Sequence, residues 1–312
     1  MPPEPESISA AVVQPRVSAP SADIVILSYN SADYLPACIA SVAALTSPPL
    51  PVIIVDNASR DNSVAVAREA CDHSGLTADI IALDRNLGCA GGNNVGWHAG
   101  SAEFVIFLNP DTEVTPDFVT ELLRPLQNDT TIGITGARIH YPGGYTLQHA
   151  GGFIYPNGMT GHFAAGEEDT GAPHQITPRD CDYVTGAGFA IRRSLLDQLN
   201  GFDEDYFPAY FEETDLCTRA RRLGARIRYV PEARLIHHES VSLTVNSPAF
   251  HRLYQRMRIR YCLKNFTLRD WLRGFIPFEA RWMLREPAAR GHRLEQFRAY
   301  GEGLWWRITG KR

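Results

Sequence analysis

Four apolar runs, each followed by polar residues, constrain the fold of this chain more than any other feature of its sequence. The runs are DIVILSYN (23–30), PVIIVD (51–56), DIIAL (79–83) and EFVIFL (103–108), and helical segments are predicted between them. Strands that are apolar throughout are covered on both faces, as in a parallel sheet flanked by helices. The first part of the chain therefore predicts an α/β fold with a Rossmann-like sheet.

Helix patterns separate the predicted strands. The segment DYLPACIASVAAL (33–45) places its apolar side chains on one helical face. A second helix is predicted over residues 115–127, with Thr115 as its N-cap and Pro116 at the first helical position. Residues 140–182 are rich in Gly, Pro, Tyr and His and show little periodicity, so irregular loops and short strands are expected there.

Polar side chains stand where the four predicted strands end. The carboxyl ends of parallel strands meet at one edge of a sheet, and ligands bind there. The stretch FLNPDTEV (107–114), taken alone, is explained by a surface turn. Four polar strand ends on one edge instead favour a ligand site, made of Tyr29, Asn30, Asp56, Asn57, Arg85, Asn86, Asn109 and Asp111.

The segment RNLGCAGGNNVG (85–96) is rich in glycine but matches neither the GxGxxG nor the P-loop pattern. It fits a flexible strand-to-helix turn as well as it fits a backbone that lies against a nucleotide. In the second case Asn86, Asn93 and Asn94 supply neutral hydrogen-bonding groups. From these residues alone, both interpretations stay open.

Three acidic residues, Glu212, Glu213 and Asp215, stand at the start of a predicted helix in YFEETDLCTRARRLG (210–224). Acidic side chains there stabilise the helix dipole, which is a sufficient structural explanation. The alternative is a general base, a carboxylate that takes the proton of an attacking hydroxyl.

Two adjacent histidines, His237 and His238, follow a predicted strand in RLIHHESVS. Paired histidines are often only polar surface residues. The alternative is that one of them joins Asp111 across the sheet as a metal ligand.

Six motifs, in this order and spacing, together resemble the family 2 glycosyltransferases, in particular the rhamnosyltransferase-like branch. They are VILSYNSADYLPACIASV, VIIVDNASRDNS, RNLGCAGGNNVG, FLNPDTEV, TGAGFAIRRSLLDQLNGFDEDYFPAYFEETDLCTR and HHESVS. The resemblance covers residues 22–245 and implies a GT-A fold, a mixed Rossmann-like central sheet flanked by helices. Residues 246–312 form a basic, aromatic, helical C-terminal appendage, and residues 1–21 predict a disordered leader.

The resemblance also implies an activity. Family members transfer a sugar from a nucleotide-diphosphate donor, use Mg²⁺ or Mn²⁺, and invert the anomeric centre. Carried over by position, Glu213 is the catalytic base, and Asp111 and His237 are metal ligands, with His238 the weaker candidate. The implied substrate-binding residues are Ser28, Tyr29, Asn30, Asp56, Asn57, Arg85, Asn86, Gly88, Asn94, Asn109, Gly186, Glu212 and Asp215.

The sequence departs from the family pattern at two places. The DxD metal motif is Asn109-Pro110-Asp111, which removes one carboxylate and is expected to weaken metal binding. The common FEDxDL is FEETDL, which puts Glu213 where aspartate usually stands. Glutamate has the same chemistry with one more methylene, so the base is expected to survive. The helix start is expected to hold Glu213 ionised near neutral pH.

Charge is unevenly distributed along the chain. From residue 251 onward, 15 Lys and Arg face 5 Asp and Glu, a net +10 in a chain of net charge −5. Residues 250–266 predict a helix whose basic stripe consists of Arg252, Arg256, Arg260 and Lys264. The helix either packs on the core with a solvated basic side or lies on an anionic membrane surface.

Tryptophans among arginines in residues 271–307 favour the membrane. They predict a peripheral protein that acts on a lipid-linked acceptor, a polyprenyl-diphosphate sugar, in cell-wall or surface polysaccharide synthesis. No run of apolar residues is long enough to span a bilayer, and residues 1–21 do not form a signal peptide. Six cysteines without a CxxC pair predict reduced thiols. We therefore expect a cytoplasmic protein on the inner face of the plasma membrane.

Three rival functions explain less. Nucleic-acid binding through the basic tail leaves the six motifs without a role. A nucleotide-sugar pyrophosphorylase usually carries a glycine-rich basic loop after its first strand, where this chain has LSYNSADY. An inactive scaffold fits Asn109 but not the retained Glu213 and His237. The donor base (dTDP or UDP) and sugar stay open, with rhamnose favoured over galactofuranose, mannose and glucose. A homo-oligomer also stays open.

Overall fold

A mixed β-sheet forms the centre of the protein. The computed structural model describes residues 22–239, 247–285 and 293–310. The strands are β1 Ala22–Ser28, β2 Val52–Asp56, β3 Ala78–Ala82, β4 Phe104–Leu108, β5 Thr112–Val114, β6 Ile132–His140, β7 Leu147–His149, β8 Gly152–Ile154, β9 Thr160–His162, β10 Arg179–Asp180, β11 Gly188–Arg192 and β12 Arg226–His237. The main sheet runs β10-β12-β6-β11-β4-β1-β2-β3, with β5 on β12 and β7 on β6, while β8 and β9 pair separately.

Helices cover both faces of this sheet. They are α1 Leu35–Ala43, α2 Ser63–Ser74, α3 Gly88–Ala99, α4 Phe118–Asn128, α5 Pro173–Ile176, α6 Arg193–Leu199, α7 Glu212–Arg222, α8 Pro248–Asn265, α9 Leu268–Asp270, α10 Ile276–Arg285 and α11 Arg293–Thr309. A 3₁₀ turn occupies Glu204–Tyr206, and a π-helical turn, Trp271–Phe275, joins α9 to α10. None of the described helices is both long and apolar enough to cross a membrane.

The four strands predicted first, β1 to β4, are confirmed, and they run parallel to one another, so that their carboxyl ends lie on the same side. Strand β1 pairs in parallel with β2 and β4, and Ser28 lies directly opposite Asp56 at the carboxyl end. Strand β11 runs antiparallel between β4 and β6, so the sheet is mixed. The carboxyl ends of β1, β2 and β4 therefore share one edge.

Most of the glycine-rich segment is helical, so the predicted strand-to-helix turn is confined to its first residues. Residues Gly88–Ala99 form α3, and its glycines let the helix lie close to the sheet. A Cβ on Gly92 would stand 2.3 Å from Leu27 Cδ1, and one on Gly96 would stand 2.3 Å from Val25 Cγ1. Close packing on β1 therefore outweighs the low helix propensity of glycine.

The predicted N-cap of the fourth helix is wrong. Helix α4 begins at Phe118, its N-cap is Asp117, and no side chain caps it. Thr115 instead bonds across to β12, where both its amide and its hydroxyl donate to the Arg234 carbonyl. The Thr115 hydroxyl, which the sequence pattern had assigned to capping α4, is therefore used in a contact with β12 instead.

Helix α8 is observed where it was predicted, and most of its basic stripe bonds to other parts of the protein. Lys264 forms an ion pair with Asp205 at 2.8 Å, and Arg252 pairs with Glu302. Arg260 is buried and donates to the Asp205 carbonyl. Three of the four basic side chains of the stripe thus have partners within the protein, which supports the packed-helix interpretation of α8, while contact of this helix with a membrane stays a prediction.

The close contact of α3 with β1 leads to a prediction about stability. Gly96→Ala should lower the free energy of unfolding by about 1–3 kcal/mol, because the new methyl overlaps Val25. Gly301→Ala is the matched control, since Gly301 lies in α11 and a Cβ there would meet nothing within 4 Å. That control should raise stability by roughly 0.5–1 kcal/mol through helix propensity. Denaturant unfolding measures both, and a stabilised Gly96→Ala would contradict the packing argument.

Candidate active site

Two buried polar atoms mark the carboxyl edge of β1 and β2. Ser28 Oγ and Asp56 Oδ1 have no hydrogen-bond partner among the described residues, although both side chains are buried. The second Asp56 oxygen accepts from the Ser59 amide at 3.0 Å, which fixes the carboxylate. Leaving a buried polar group unpaired costs about 1–3 kcal/mol, so these atoms indicate a place built to receive a ligand.

The asparagines predicted at this edge organise its loops. Asn57 Oδ1 accepts from the Leu87 amide at 2.8 Å, and its Nδ2 donates to the Gly88 carbonyl at 3.1 Å. Asn86 Oδ1 accepts from the Gly88 amide at 2.7 Å. Asn30 Oδ1 accepts from a backbone amide of the loop after β2 at 2.8 Å. These side chains hold the start of α3 against the end of β2.

The other predicted donor-site residues differ in how open they are. Tyr29 is half-buried and Arg85 is exposed. Gly186 borders open space, because a Cβ there would meet nothing within 4 Å. Both polar atoms of Asn94 are already used, since they exchange hydrogen bonds of 2.9 Å with the Phe202 backbone. A nucleotide contact by Asn94 stays a prediction that these bonds do not favour.

The predicted metal ligands come together at the junction of β4, β5 and β12. Strand β12 extends to His237, which lies opposite Thr112 in the antiparallel pair with β5. His237 Nε2 stands 3.3 Å from Asp111 Oδ1 and 3.3 Å from Asn109 Nδ2. His238 instead points to Glu113, with 2.6 Å between Nε2 and Oε1. Only the first of the two histidines therefore faces Asp111.

This pair of ligands fits a divalent cation that is also held by a diphosphate. No group of three or more His, Cys, Asp or Glu side chains converges on a metal position in residues 22–239, 247–285 and 293–310. Asp111 and His237 nevertheless present a carboxylate oxygen and an imidazole nitrogen 3.3 Å apart. Magnesium is usually held by one or two protein ligands together with substrate phosphates.

The two glutamates at the start of α7 have unusual acidity. Burial raises the pKa of Glu213 to about 7, although backbone amides at the helix start oppose the shift. Burial and the neighbouring Glu213 raise the pKa of Glu212 well above its usual value. The helix start was expected to hold Glu213 ionised near neutral pH; instead its pKa lies close to neutral pH, because desolvation outweighs the helix dipole.

The Asp215 side chain points into the protein interior and is bonded on all sides by other residues of the protein. Its carboxylate accepts from the Tyr206 hydroxyl at 3.0 Å, from Arg219 Nε at 2.6 Å and from Asn265 Nδ2 at 2.7 Å. It is buried, so its partners are all within the protein. This set of bonds assigns Asp215 to holding α7 in place, and a substrate contact by it stays a prediction.

Sequence reasoning missed two side chains beside these groups. Gln148 lies in β7, inside the segment interpreted as irregular, and its Oε1 is 2.8 Å from His237 Nδ1. Cys89, at the start of α3, forms a hydrogen bond with Glu212 that lowers the pKa of that carboxyl, against the larger effect of burial. In the sequence, the only signal for Gln148 is a polar residue directly after Leu147 in LQHAGG.

Comparison with known proteins gives the family. The family model described as "Glycosyl transferase family 2" matches residues 23–199, more than half of the chain. The chain belongs to glycosyltransferase family 2. It is 28% identical over 300 residues to the N-acetylglucosaminyl-diphospho-decaprenol L-rhamnosyltransferase of Mycobacterium tuberculosis H37Rv, covering 86% of this chain and 95% of that protein.

Two longer relatives contain a similar region. The O-antigen biosynthesis protein RfbC of Myxococcus xanthus is 30% identical over 249 residues, covering 76% of this chain and 19% of RfbC. The uncharacterized protein y4gI of Sinorhizobium fredii is 26% identical over 272 residues, covering 86% of this chain and 30% of y4gI. This glycosyltransferase chain thus spans less than a third of both relatives.

Solved structures show that the fold is GT-A. GalNAc-T7, solved with UDP, GalNAc and Mn²⁺, superposes with a TM-score of 0.63 at 17% identity, covering 79% of this chain and 48% of that one. The Pyrobaculum calidifontis mannosyltransferase PcManGT, solved with GDP-Man and Mn²⁺, gives 0.58 at 14% identity, covering 94% and 91%. The likeness extends over both halves of the mixed sheet.

The acidity of the two glutamates predicts a pH-dependent stability. In the unfolded chain a glutamate titrates near pH ~4.3, whereas in the folded protein both carboxyls hold their protons to higher pH. Their favourable contribution is complete below the unfolded pKa; the part due to Glu213 is lost as pH rises through about 7, and the part due to Glu212 is lost as pH rises through its own raised pKa. The double variant Glu212→Gln/Glu213→Gln should therefore gain stability over the wild type as pH rises between about 5 and 8.

Denaturant unfolding at several pH values measures this gain. Glu69→Gln is the control, because it removes the charge of an exposed glutamate in α2 and leaves the buried carboxyls unchanged. A stability difference for the double variant that stays constant across the range would contradict the assignment.

Proposed function

We propose that the chain is an inverting glycosyltransferase that moves a hexose, rhamnose in first place, from a dTDP- or UDP-linked donor to a hydroxyl of a lipid-linked or glycan acceptor. Family membership and the GT-A fold support nucleotide-sugar transfer. The observation that carries the mechanism is the Glu213 carboxyl, whose pKa of about 7 suits a general base.

The donor side of the proposal rests on the edge of β1 and β2. The unpaired Ser28 Oγ can donate or accept a hydrogen bond, and Asp56 Oδ1 can accept one, so both suit the polar groups of a nucleoside. Asn57 and Asn86 would hold the start of α3 beside it. Neighbours solved with UDP, UDP-GlcNAc or GDP-Man support a nucleotide-sugar donor, without choosing the base or the sugar.

Asp111 and His237 would hold Mg²⁺ or Mn²⁺ against the donor diphosphate. When bound, the cation neutralises the charge that develops on the leaving diphosphate. Neighbours solved with Mn²⁺ support this assignment. The amide at Asn109 leaves the site with one carboxylate fewer than a DxD motif, so His237 carries more of the binding than it would beside two carboxylates.

Glu213 would act on the acceptor. Its ionised carboxylate takes the proton of the acceptor hydroxyl while the hydroxyl oxygen bonds to the anomeric carbon. The bond from that carbon to the diphosphate oxygen breaks on the opposite face, so the configuration inverts. Glu212 is the weaker candidate, because burial and the neighbouring Glu213 raise its pKa well above the usual value, which disfavours the ionised form that a base needs. The Mycobacterium tuberculosis relative, whose name specifies a diphospho-decaprenol acceptor, supports a lipid-linked acceptor here.

The assignment of the base predicts a specific pair of outcomes. Glu213→Gln keeps shape and polarity but cannot accept a proton, so it should bind donor almost normally and transfer at least ~10²-fold more slowly. Glu212→Gln is the matched control and should retain most activity. Wild-type transfer should rise with pH through about 7, since the base works when deprotonated.

Release of UDP or dTDP with and without acceptor, next to donor binding by calorimetry, tests these outcomes. Loss of turnover in Glu212→Gln alone would move the base by one residue. Donor binding without any turnover in the wild type would favour the inactive-scaffold alternative.

The C-terminal helices supply a surface for the acceptor lipid. They expose large apolar side chains, each more than half exposed: Leu272, Ile276, Leu304, Trp305 and Ile308. A cavity of about 350 Å³, lined mostly by apolar side chains, opens between α8, α10 and α11, with Ile276 and Leu304 among its walls. We propose that this surface rests on the inner face of the plasma membrane, where exposed arginines of the same helices attract anionic lipid.

Trp305→Ser/Ile308→Ser tests this surface. The double variant should reduce sedimentation with anionic liposomes by about 10-fold or more, because each apolar side chain gains roughly 1.5 kcal/mol or more on burial. Leu223→Ser is the control, since Leu223 is 56% exposed but lies at the end of α7. High salt should weaken wild-type binding by screening. If the double variant and Leu223→Ser bind liposomes equally well, this surface does not contact the membrane and is better explained as a surface for another protein.

A further inference from the structure

Gln148 stands at an irregularity in the pairing of β7 with β6. Ile139 pairs with His149, but the next residue, His140, pairs with Leu147, which leaves Gln148 as the extra residue of a bulge. Bulges re-aim a side chain and occur often beside active sites. The Gln148 carbonyl also accepts from His162 Nδ1 at 3.0 Å, which fixes the backbone at this point. The Gln148 side chain is therefore directed by the fold.

That side chain meets the imidazole of His237. Gln148 Oε1 lies 2.8 Å from His237 Nδ1, and an amide oxygen only accepts, so Nδ1 carries the proton. On the other side of the ring, Asn109 Nδ2 stands 3.3 Å from Nε2, and an amide nitrogen only donates. Both amides favour the tautomer in which Nε2 is unprotonated. The Asp111 carboxylate, whose Oδ1 lies 3.3 Å from Nε2, acts in the opposite sense as long as no cation is bound, because it can only accept a hydrogen bond.

Gln148 has no other side-chain hydrogen bond among the described residues. It is 4% exposed, yet its Nε2 has no partner within that part of the chain. Burying an amide nitrogen without a partner is unfavourable, so packing alone does not explain a glutamine here. The bond to His237 is the interaction that requires an amide oxygen at this position.

We propose that Gln148 is a positioning residue that fixes the tautomer and orientation of His237, so that Nε2 is presented for a divalent cation beside Asp111. The inference rests on the proposed function, because that cation belongs to the proposed donor site. Partners that orient a metal-binding histidine typically change metal affinity by about 10–100-fold when they are removed.

Mn²⁺ titration tests the proposal without any turnover. Mn²⁺ is titrated into the full chain with UDP and, in parallel, with dTDP. Gln148→Met removes the acceptor at similar size and should weaken Mn²⁺ binding by at least ~10-fold. Gln148→Glu keeps an acceptor oxygen and should retain most of the affinity. Gln175→Met is the matched control, because Gln175 is similarly buried and its Oε1 accepts from the Ala172 amide at the start of α5, and it should leave Mn²⁺ affinity unchanged.

Nitrogen NMR of the histidine rings, without metal, provides an independent measurement. The wild type and Gln148→Glu should show His237 protonated at Nδ1, and Gln148→Met should show a mixture of tautomers. A wild-type His237 protonated at Nε2 would overturn the proposal, and so would unchanged Mn²⁺ affinity in Gln148→Met. If the wild type binds no Mn²⁺ with either nucleotide, the proposed metal site fails together with this inference. Wild-type binding with an unaffected Gln148→Met overturns this inference alone.

Discussion

The Asp215 carboxylate ties together the parts of the protein that carry the proposed chemistry. It joins the 3₁₀ turn through Tyr206, the next turn of α7 through Arg219, and the last turn of α8 through Asn265. Removing one member of such a buried set leaves an uncompensated group and costs about 3–5 kcal/mol. Since Glu213 stands two residues before Asp215, the position of the proposed base depends on the packing of α8. Helix α8 is thus part of the scaffold that positions the proposed base.

The sequence predicted the half of the sheet whose strands are continuously apolar. Strands β1, β2 and β4 were placed correctly because burial on both faces leaves an unbroken apolar run. Strand β3 was also placed correctly, although it is a partly exposed edge strand. Strands β6 and β11 were missed, since Thr135, Gly136 and Arg138 interrupt the pattern in β6. Those positions are buried all the same: Thr135 donates to a backbone carbonyl of α4, and Gly136 leaves room for Val184. Tertiary partners of this kind do not appear in local periodicity.

The candidate site divides in the same way. Parallel strands bring their ends to one edge, so Asp56, Asp111 and the loop asparagines could be placed from the sequence. The acidity of Glu213 could not, because it follows from how much protein surrounds the helix start rather than from the acids themselves. The partners of the basic side chains of α8 could likewise not be predicted, since Arg260 and Lys264 both contact Asp205, more than 50 residues earlier in the chain. A charge pattern fixes which partners are possible, and the fold decides which are used.

The amide at Asn109 takes on a role once the imidazole between it and Gln148 is considered. A carboxylate at position 109 would add a second acceptor beside the Asp111 Oδ1 that already lies 3.3 Å from His237 Nε2, and would further favour a proton there. The Asn109 amide presents a donor 3.3 Å away, which favours an unprotonated Nε2. Gln148 requires the same tautomer from the opposite side. Under the proposed function, the chain lacks one anionic metal ligand at position 109. In its place, the amides of Asn109 and Gln148 orient His237 as a metal ligand. The departure from the DxD pattern is then a change in how the cation is held rather than a loss of its site.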